Sequence, residues 1–126
     1  MNFALEVIRQ PLPGQPIAMF ALNGGLDAST VQHLEQAFGD AQLPSVGTRI
    51  IIVAMDGLRY VSSSGLRTLL AARTAMRKVG GDVLLCALSP AVRDIFDVVG
   101  FDAVFKIYDT REQALDIAKL VAGALF

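Results

Sequence analysis

The chain has 126 residues, 53% of them apolar and 18% charged, with a formal net charge of −1. That balance excludes a disordered chain and reads as one domain, residues 1–126, with a real core, while the near-neutral charge gives no attraction to nucleic acid or an anionic membrane. No stretch has the length of a membrane span or the pattern of a signal peptide, and the single Cys86 excludes an internal disulfide and fits a reducing cytoplasm.

Phe3–Arg9 alternates as a first strand would, and Pro11, Pro13, Gly14 and Pro16 break it into a loop or hairpin connection. Ile17–Leu22 reads as a second strand, closed by Asn23-Gly24-Gly25. A helix is expected over about Ala28–Ala41. Asp27 or Ser29 caps it, Ser29 with Gln32 having capping-box spacing, and Val31, Leu34, Phe38 and Ala41 share one face. A loop over Pro44–Gly47 precedes Ile50–Met55, a six-residue apolar run ended by Asp56-Gly57. Its β-branched residues suit a strand covered on both faces of a parallel sheet.

Ser62-Ser63-Ser64 and Gly65 then lead into a second helix, about Ser64–Val79. At about 100° per residue, Leu66, Leu69, Ala72 and Met76 gather on one side and Arg67, Thr74, Arg77 and Lys78 on another. Gly80-Gly81 ends it. Asp82–Leu88 is a fourth strand. Ser89-Pro90 opens a short helix ending by Gly100, with Val92, Ile95, Phe96 and Val99 inward. Ala103–Tyr108 is a last strand, and Thr110 to Gln113 has capping-box spacing for a final helix through Leu120 or beyond. The repeated strand–helix order predicts an α/β fold: a mixed sheet of four to five strands, about four helices, and right-handed parallel crossovers after an N-terminal pair.

A strand that delivers three hydroxyls to the first turn of a helix places them where unpaired N–H groups and the helix dipole favour negative charge. A phosphate on one of those serines would be well received, which points to a switch rather than to catalysis. Serine at such a position also serves as a helix cap, and both readings of Ser63 stand. Asp56 and Asp27 read either as turn and cap residues or as acidic groups near the acceptor. Arg67, Arg77 and Lys78 form a basic face, solvated or in contact with a partner. His33 stands alone, without metal-ligand spacing, and Cys86 sits in a predicted buried strand with no base beside it.

Three segments carry a family resemblance: LNGGLDAST at 22–30, VAMDGLRYVSSSGLR at 53–67 and GGDVLLCALSPAVRDIFDVVGFDAVFKIYDTREQAL at 80–115. Together they resemble the STAS domain of bacterial anti-sigma factor antagonists over nearly the whole chain. The resemblance implies a non-enzymatic, cytoplasmic regulator in a partner-switching pathway, with no cofactor or metal of its own. It implies two partners: an anti-sigma factor that is a serine protein kinase, bound when the antagonist is unphosphorylated, and a PP2C-type serine phosphatase that resets it. The family's site, Asp-Ser-Ser/Ala-Gly-Leu, places the acceptor on Ser63, with Ser62 and Ser64 as lesser candidates, and puts Ser62 at the acidic position. Asp27 and Asp56 fall on acidic positions around it, and Ser62, Ser64, Gly65, Leu66 and Arg67 on the partner surface.

Three rivals are weighed against this. A phosphorelay receiver phosphorylated at Asp56 would need a carboxylate pair after its first strand, which offers only Glu6, and a lysine-proline after the last strand, which is absent. A nucleotide-binding module has neither GxGxxG nor GxxxxGK[ST] to support it. The third is a non-switching scaffold, such as a stress-complex or transporter-associated STAS domain; the free-standing length and the absence of a membrane segment favour the soluble antagonist. Oligomeric state is open: the apolar tail Leu120–Phe126 can dock inward or pair with another chain.

Overall fold

The computed structural model describes residues 4–45 and 47–124. Phe3 of the expected first strand, Val46 of the expected loop, and Leu125 and Phe126 of the apolar tail lie outside them. All five described strands join one sheet in chain order: β1 (Leu5–Gln10), β2 (Ile17–Leu26), β3 (Ile50–Val61), β4 (Asp82–Cys86) and β5 (Lys106–Tyr108). β1 runs antiparallel to β2, and every other neighbouring pair is parallel. Helices α1 (Val31–Asp40), α2 (Ser63–Lys78) and α3 (Pro90–Val99) are the crossovers, and α4 (Arg111–Ala124) follows β5.

Strands added always in one direction, each by a right-handed crossover, put all the crossover helices on one face. The packing follows. Phe20, Leu22, Val53, Met55 and Leu85 point toward α1, α2 and α3, where they meet Leu34, Phe38, Leu69, Met76, Val92 and Phe96. The alternate residues Met19, Ala21, Ile52, Ala54, Leu84 and Cys86 point the other way and meet Ala114 and Ala118 of α4. Large side chains interlock on the first face, whereas α4 rides on small ones.

Two expected stops are overrun. Neither Asn23-Gly24-Gly25 nor Asp56-Gly57 is a turn: β2 and β3 continue through them side by side, pairing Asn23 with Gly57, Gly24 with Leu58 and Leu26 with Val61. The register shifts between Ala21 and Asn23 and again between Gly24 and Gly25, so the glycines accommodate bulges. A Cβ on Gly57 would strike the Asn23 side chain and the Leu22 carbonyl. β3 therefore outruns β4, whose last pairing is Cys86 with Ala54, and continues beside β2, which β1 still borders as far as Gly24.

The remaining corrections are at element ends, where local bonding and backbone conformation compete with regular structure. α1 begins at Val31, because Asp27–Thr30 is a side-chain-bonded turn, and its N-cap Thr30 makes no side-chain cap bond. β4 stops at Cys86, before Ala87 at φ 59°, and Phe101–Ala103 is a 3₁₀ turn before a shorter β5. Val99, expected inward, is 48% exposed. The other signals hold. Ser89 Oγ accepts from the Val92 amide with Pro90 in the first turn, and Gly100 closes α3 at φ 76°. The Gly81 amide returns to the Met76 carbonyl at 2.8 Å, and Thr110 and Gln113 exchange bonds of 3.1 and 3.3 Å.

Nothing in the local sequence points to the role of Asp82, which is 7% exposed at the start of β4. Its carboxylate faces Arg77 Nη1 at 3.3 Å, Lys106 Nζ at 3.5 Å and Arg73 Nε at 3.9 Å, tying α2 and β5 to the start of β4. Its removal leaves those cations without their shared partner. Asp82→Ala is expected to cost about 1.5–3 kcal/mol in urea unfolding. Asp109→Ala, which opens the exposed 3.7 Å pair with Arg93, should cost less than about 0.5 kcal/mol.

Candidate functional site

Where β3 ends, the chain turns sharply into α2, and three contacts set the geometry of that turn. The Ser62 amide donates to the Leu26 carbonyl at the end of β2, at 2.9 Å. Ser62, in extended backbone, is the N-cap: its Oγ accepts from the Gly65 amide at 3.3 Å, and its carbonyl takes the first helical bond from Leu66. Gly65 lies flat against β2, where a Cβ would stand 2.7 Å from the Leu26 carbonyl oxygen and 2.8 Å from Val61 Cγ2.

The three serines therefore have three different positions. Ser62 is half-buried and occupied as the cap, so the capping role considered for Ser63 belongs to its neighbour. Ser63 is the first helical residue, and it is exposed. Ser64 is half-buried, with its Oγ accepting from Arg67 Nη2 at 3.2 Å and its carbonyl accepting from Thr68 Oγ1 at 3.1 Å. Beside them, an open groove of about 560 Å³ runs between α1 and α2, bounded by Val31, Phe38, Leu43, Ser64, Arg67 and Thr68.

Asp27 follows the residue whose carbonyl receives the Ser62 amide, so the fold brings it to this end of the sheet. Its Oδ1 accepts from the Ser29 hydroxyl at 2.6 Å and the Ser29 amide at 2.9 Å. Thr30 Oγ1 donates to the Gly25 carbonyl at 2.8 Å and accepts from the Asp27 amide at 2.9 Å. The Ser29 hydroxyl bond, above all, holds the Asp27 carboxyl below the usual carboxylate range.

Asp56 is not part of this group. Its carboxylate pairs with Arg111 Nη2 at 2.8 and 3.1 Å, and Arg111 belongs to α4 on the opposite face of the sheet. Along β3, a rise of about 3.3 Å per residue separates it from the serines by some 15–20 Å. The neighbour of Asp56 is thus a cation, where a receiver's metal site needs further acids. Among the described residues no three His, Cys, Asp or Glu side chains gather as a metal-holding group.

Gly65 and Leu66, expected on the partner surface, point inward, and Leu66 is only 5% exposed. Of the basic face, only Arg67 adjoins the serines. Arg77 is committed to Asp82 at the far end of the helix, about 20 Å away at 1.5 Å per residue. His33 is an exposed residue of α1, and burial pushes the Cys86 thiol up to about 11, leaving it protonated and inert at neutral pH.

The STAS domain family profile matches residues 12–114. The chain belongs to the STAS domain family. BtrV of Bordetella bronchiseptica, which carries the name of an anti-sigma factor antagonist, is 34% identical over 110 residues, 87% of this chain and 91% of its own. An anti-sigma factor antagonist from Mycobacterium paratuberculosis superposes with a TM-score of 0.78 at 24% identity, covering 91% of this chain and 94% of that one. The unphosphorylated form of the anti-sigma factor antagonist SpoIIAA superposes with a TM-score of 0.73 at 23% identity, covering 88% and 94%. These two likenesses establish the STAS fold: a five-stranded mixed sheet with four helices, as the strand–helix order implies.

Ser62, on which the resemblance places the family's acidic position, has a structural task here. It caps α2, a task that aspartate and serine perform about equally well.

Gly65→Ala is expected to lower stability by about 1–3 kcal/mol in denaturant unfolding, since a methyl group there forces α2 away from the Leu26 carbonyl. Asp27 should titrate below the ordinary value of about 3.9 in an NMR pH series, and Ser29→Ala should raise its midpoint. A carboxyl held down in the fold favours the folded state above its unfolded titration range. That contribution disappears as pH falls through the lowered value, so the stability lost on acidification should be smaller in Ser29→Ala.

Proposed function

We propose that this STAS domain is an anti-sigma factor antagonist working by partner switching, with Ser63 as the switch. The 34% identity to a protein named for that role supports the general reading. The observation that carries the specific one is the exposed hydroxyl of Ser63 in the first turn of α2, between a serine used as a cap and a serine held by Arg67. Of the three, Ser63 alone is fully presented to an approaching enzyme.

In this reading the chain is a single-domain cytoplasmic regulator, not an enzyme, and Mg-ATP enters with its kinase partner. The unphosphorylated form docks on the anti-sigma factor through the rim made by Ser62, Ser64 and Arg67. The partner then transfers the γ-phosphoryl group of ATP. The Ser63 Oγ–P bond forms as the bond to the β-phosphate bridging oxygen breaks, the hydroxyl proton passes to a base of the kinase, and ADP leaves. Hydrolysis by a PP2C-type phosphatase consumes one water and returns serine and inorganic phosphate.

The phosphate adds about −1.5 to −2 charges and three acceptor oxygens. At the amino end of α2 that charge is compatible with the fold, since N–H groups and the dipole face it. Against a partner surface shaped for a neutral hydroxyl it costs desolvation and repulsion. A loss of about 3–4 kcal/mol weakens docking by a few hundredfold. Asp27, an ionised carboxylate in the turn after β2, adds to the negative charge at this end.

Incubation with a candidate serine kinase and ATP, followed by phosphopeptide mapping, should place the phosphate on Ser63. Ser63→Ala should bind the anti-sigma partner as the wild type does, and Ser63→Asp should bind it poorly. Phosphate found only on another residue, or equal affinities for the two variants, would refute the assignment.

A further inference from the structure

Arg67 stands four residues beyond Ser63 on α2, which puts the two side chains on the same face one turn apart. Arg67 is exposed, and among the described residues it has no ion pair, although Glu35 lines the same groove; its one hydrogen bond is to the Ser64 hydroxyl at 3.2 Å. Arg67 also bounds the groove between α1 and α2. One side chain therefore touches both the serine cluster and the docking rim.

We propose that Arg67 couples the two: it receives the phosphate on Ser63, and in doing so leaves the rim of the groove. This rests on the reading of Ser63 as acceptor. In the unmodified chain the guanidinium holds a neutral oxygen by a single bond. A phosphate one turn before it offers a dianion with several acceptor oxygens, and guanidinium–phosphate pairs are shorter, stronger and often bidentate. The acid also lies on the N-terminal side of the base, the favourable order for a helical pair four residues apart. Lysine would supply the charge without the fork, so the exchange depends on arginine. Phosphorylation then acts twice on docking, adding repulsion at Ser63 and removing a cation from the surface beside it.

The test uses the full chain with phosphoserine incorporated at position 63 during translation, in wild-type, Arg67→Gln and Arg67→Lys backgrounds. By ³¹P NMR the second phosphate ionisation, ordinarily near 6, should have a midpoint lower in the wild type than in Arg67→Gln by roughly half a unit or more. Arg67→Lys should fall between them. In the wild type, the Arg67 side-chain Nε–H resonance should shift on modification, together with the Thr68 and Ala71 amides along the groove. Equal midpoints in the wild type and Arg67→Gln would overturn the proposal. A lowered wild-type midpoint with an unmoved Arg67 resonance would overturn it too, since other groups would then be responsible. Because the phosphoserine is incorporated directly, neither result depends on a kinase. A kinase that modifies a different residue would instead count against the proposed function and leave the Arg67 measurement intact.

Discussion

The bond from the Ser62 amide to the Leu26 carbonyl fixes where α2 starts, and most of what is distinctive about this molecule depends on it. It joins the far ends of β2 and β3, which both run past the last pairing of β4. For that contact to exist, β2 and β3 must stay paired through their bulges, and α2 must turn back directly at Ser62. Gly65 completes the arrangement, because only a residue without a side chain lets the helix lie against the Leu26 carbonyl. The result is a helix terminus held at the end of the paired β2 and β3 strands. Its serines owe their different exposures to that geometry and not to loop mobility.

The sheet divides the remaining interactions. On the α1–α3 face, bulky side chains interdigitate, and Phe20 and Phe38 meet edge to face at 5.1 Å. Such packing resists small displacements of α2 relative to the strands. At the opposite end of α2, the Asp82 carboxylate gathers cations from two elements, so the helix is secured at both extremities by polar contacts and between them by its apolar stripe. A charge added at Ser63 therefore meets a helix that is already fixed, and its effect is felt outward, at the surface, more than inward.

Much of the architecture was legible in the sequence because it rests on local, periodic signals. The Ser89-Pro90 start, the Thr110–Gln113 box, the Gly80-Gly81 end and the inward stripe of α2 each depend on residues within one or two turns of one another. The overrun of β2 and β3 was not legible. Asn-Gly-Gly and Asp-Gly are turn signals in isolation, and what overrides them is pairing between segments more than thirty residues apart. The Asp56–Arg111 and Asp82 contacts escaped for the same reason: spacing along the chain says nothing about which face of a sheet a carboxylate will meet. At the site, the serine cluster and its helix start could be read directly. The sequence did not reveal that Ser62 would take the capping role and leave Ser63 free.

α4 approaches the other side of the sheet through Ala114 and Ala118, and the strands present Ala21 and Ala54 there. With the single layer of the sheet between them, α4 and α2 share no side-chain boundary in either hydrophobic cluster of the described residues. The sheet thus acts as an insulating wall. Evolutionary drift on the alanine side can reshape that surface for other uses while the hydroxyl on the far side keeps its setting.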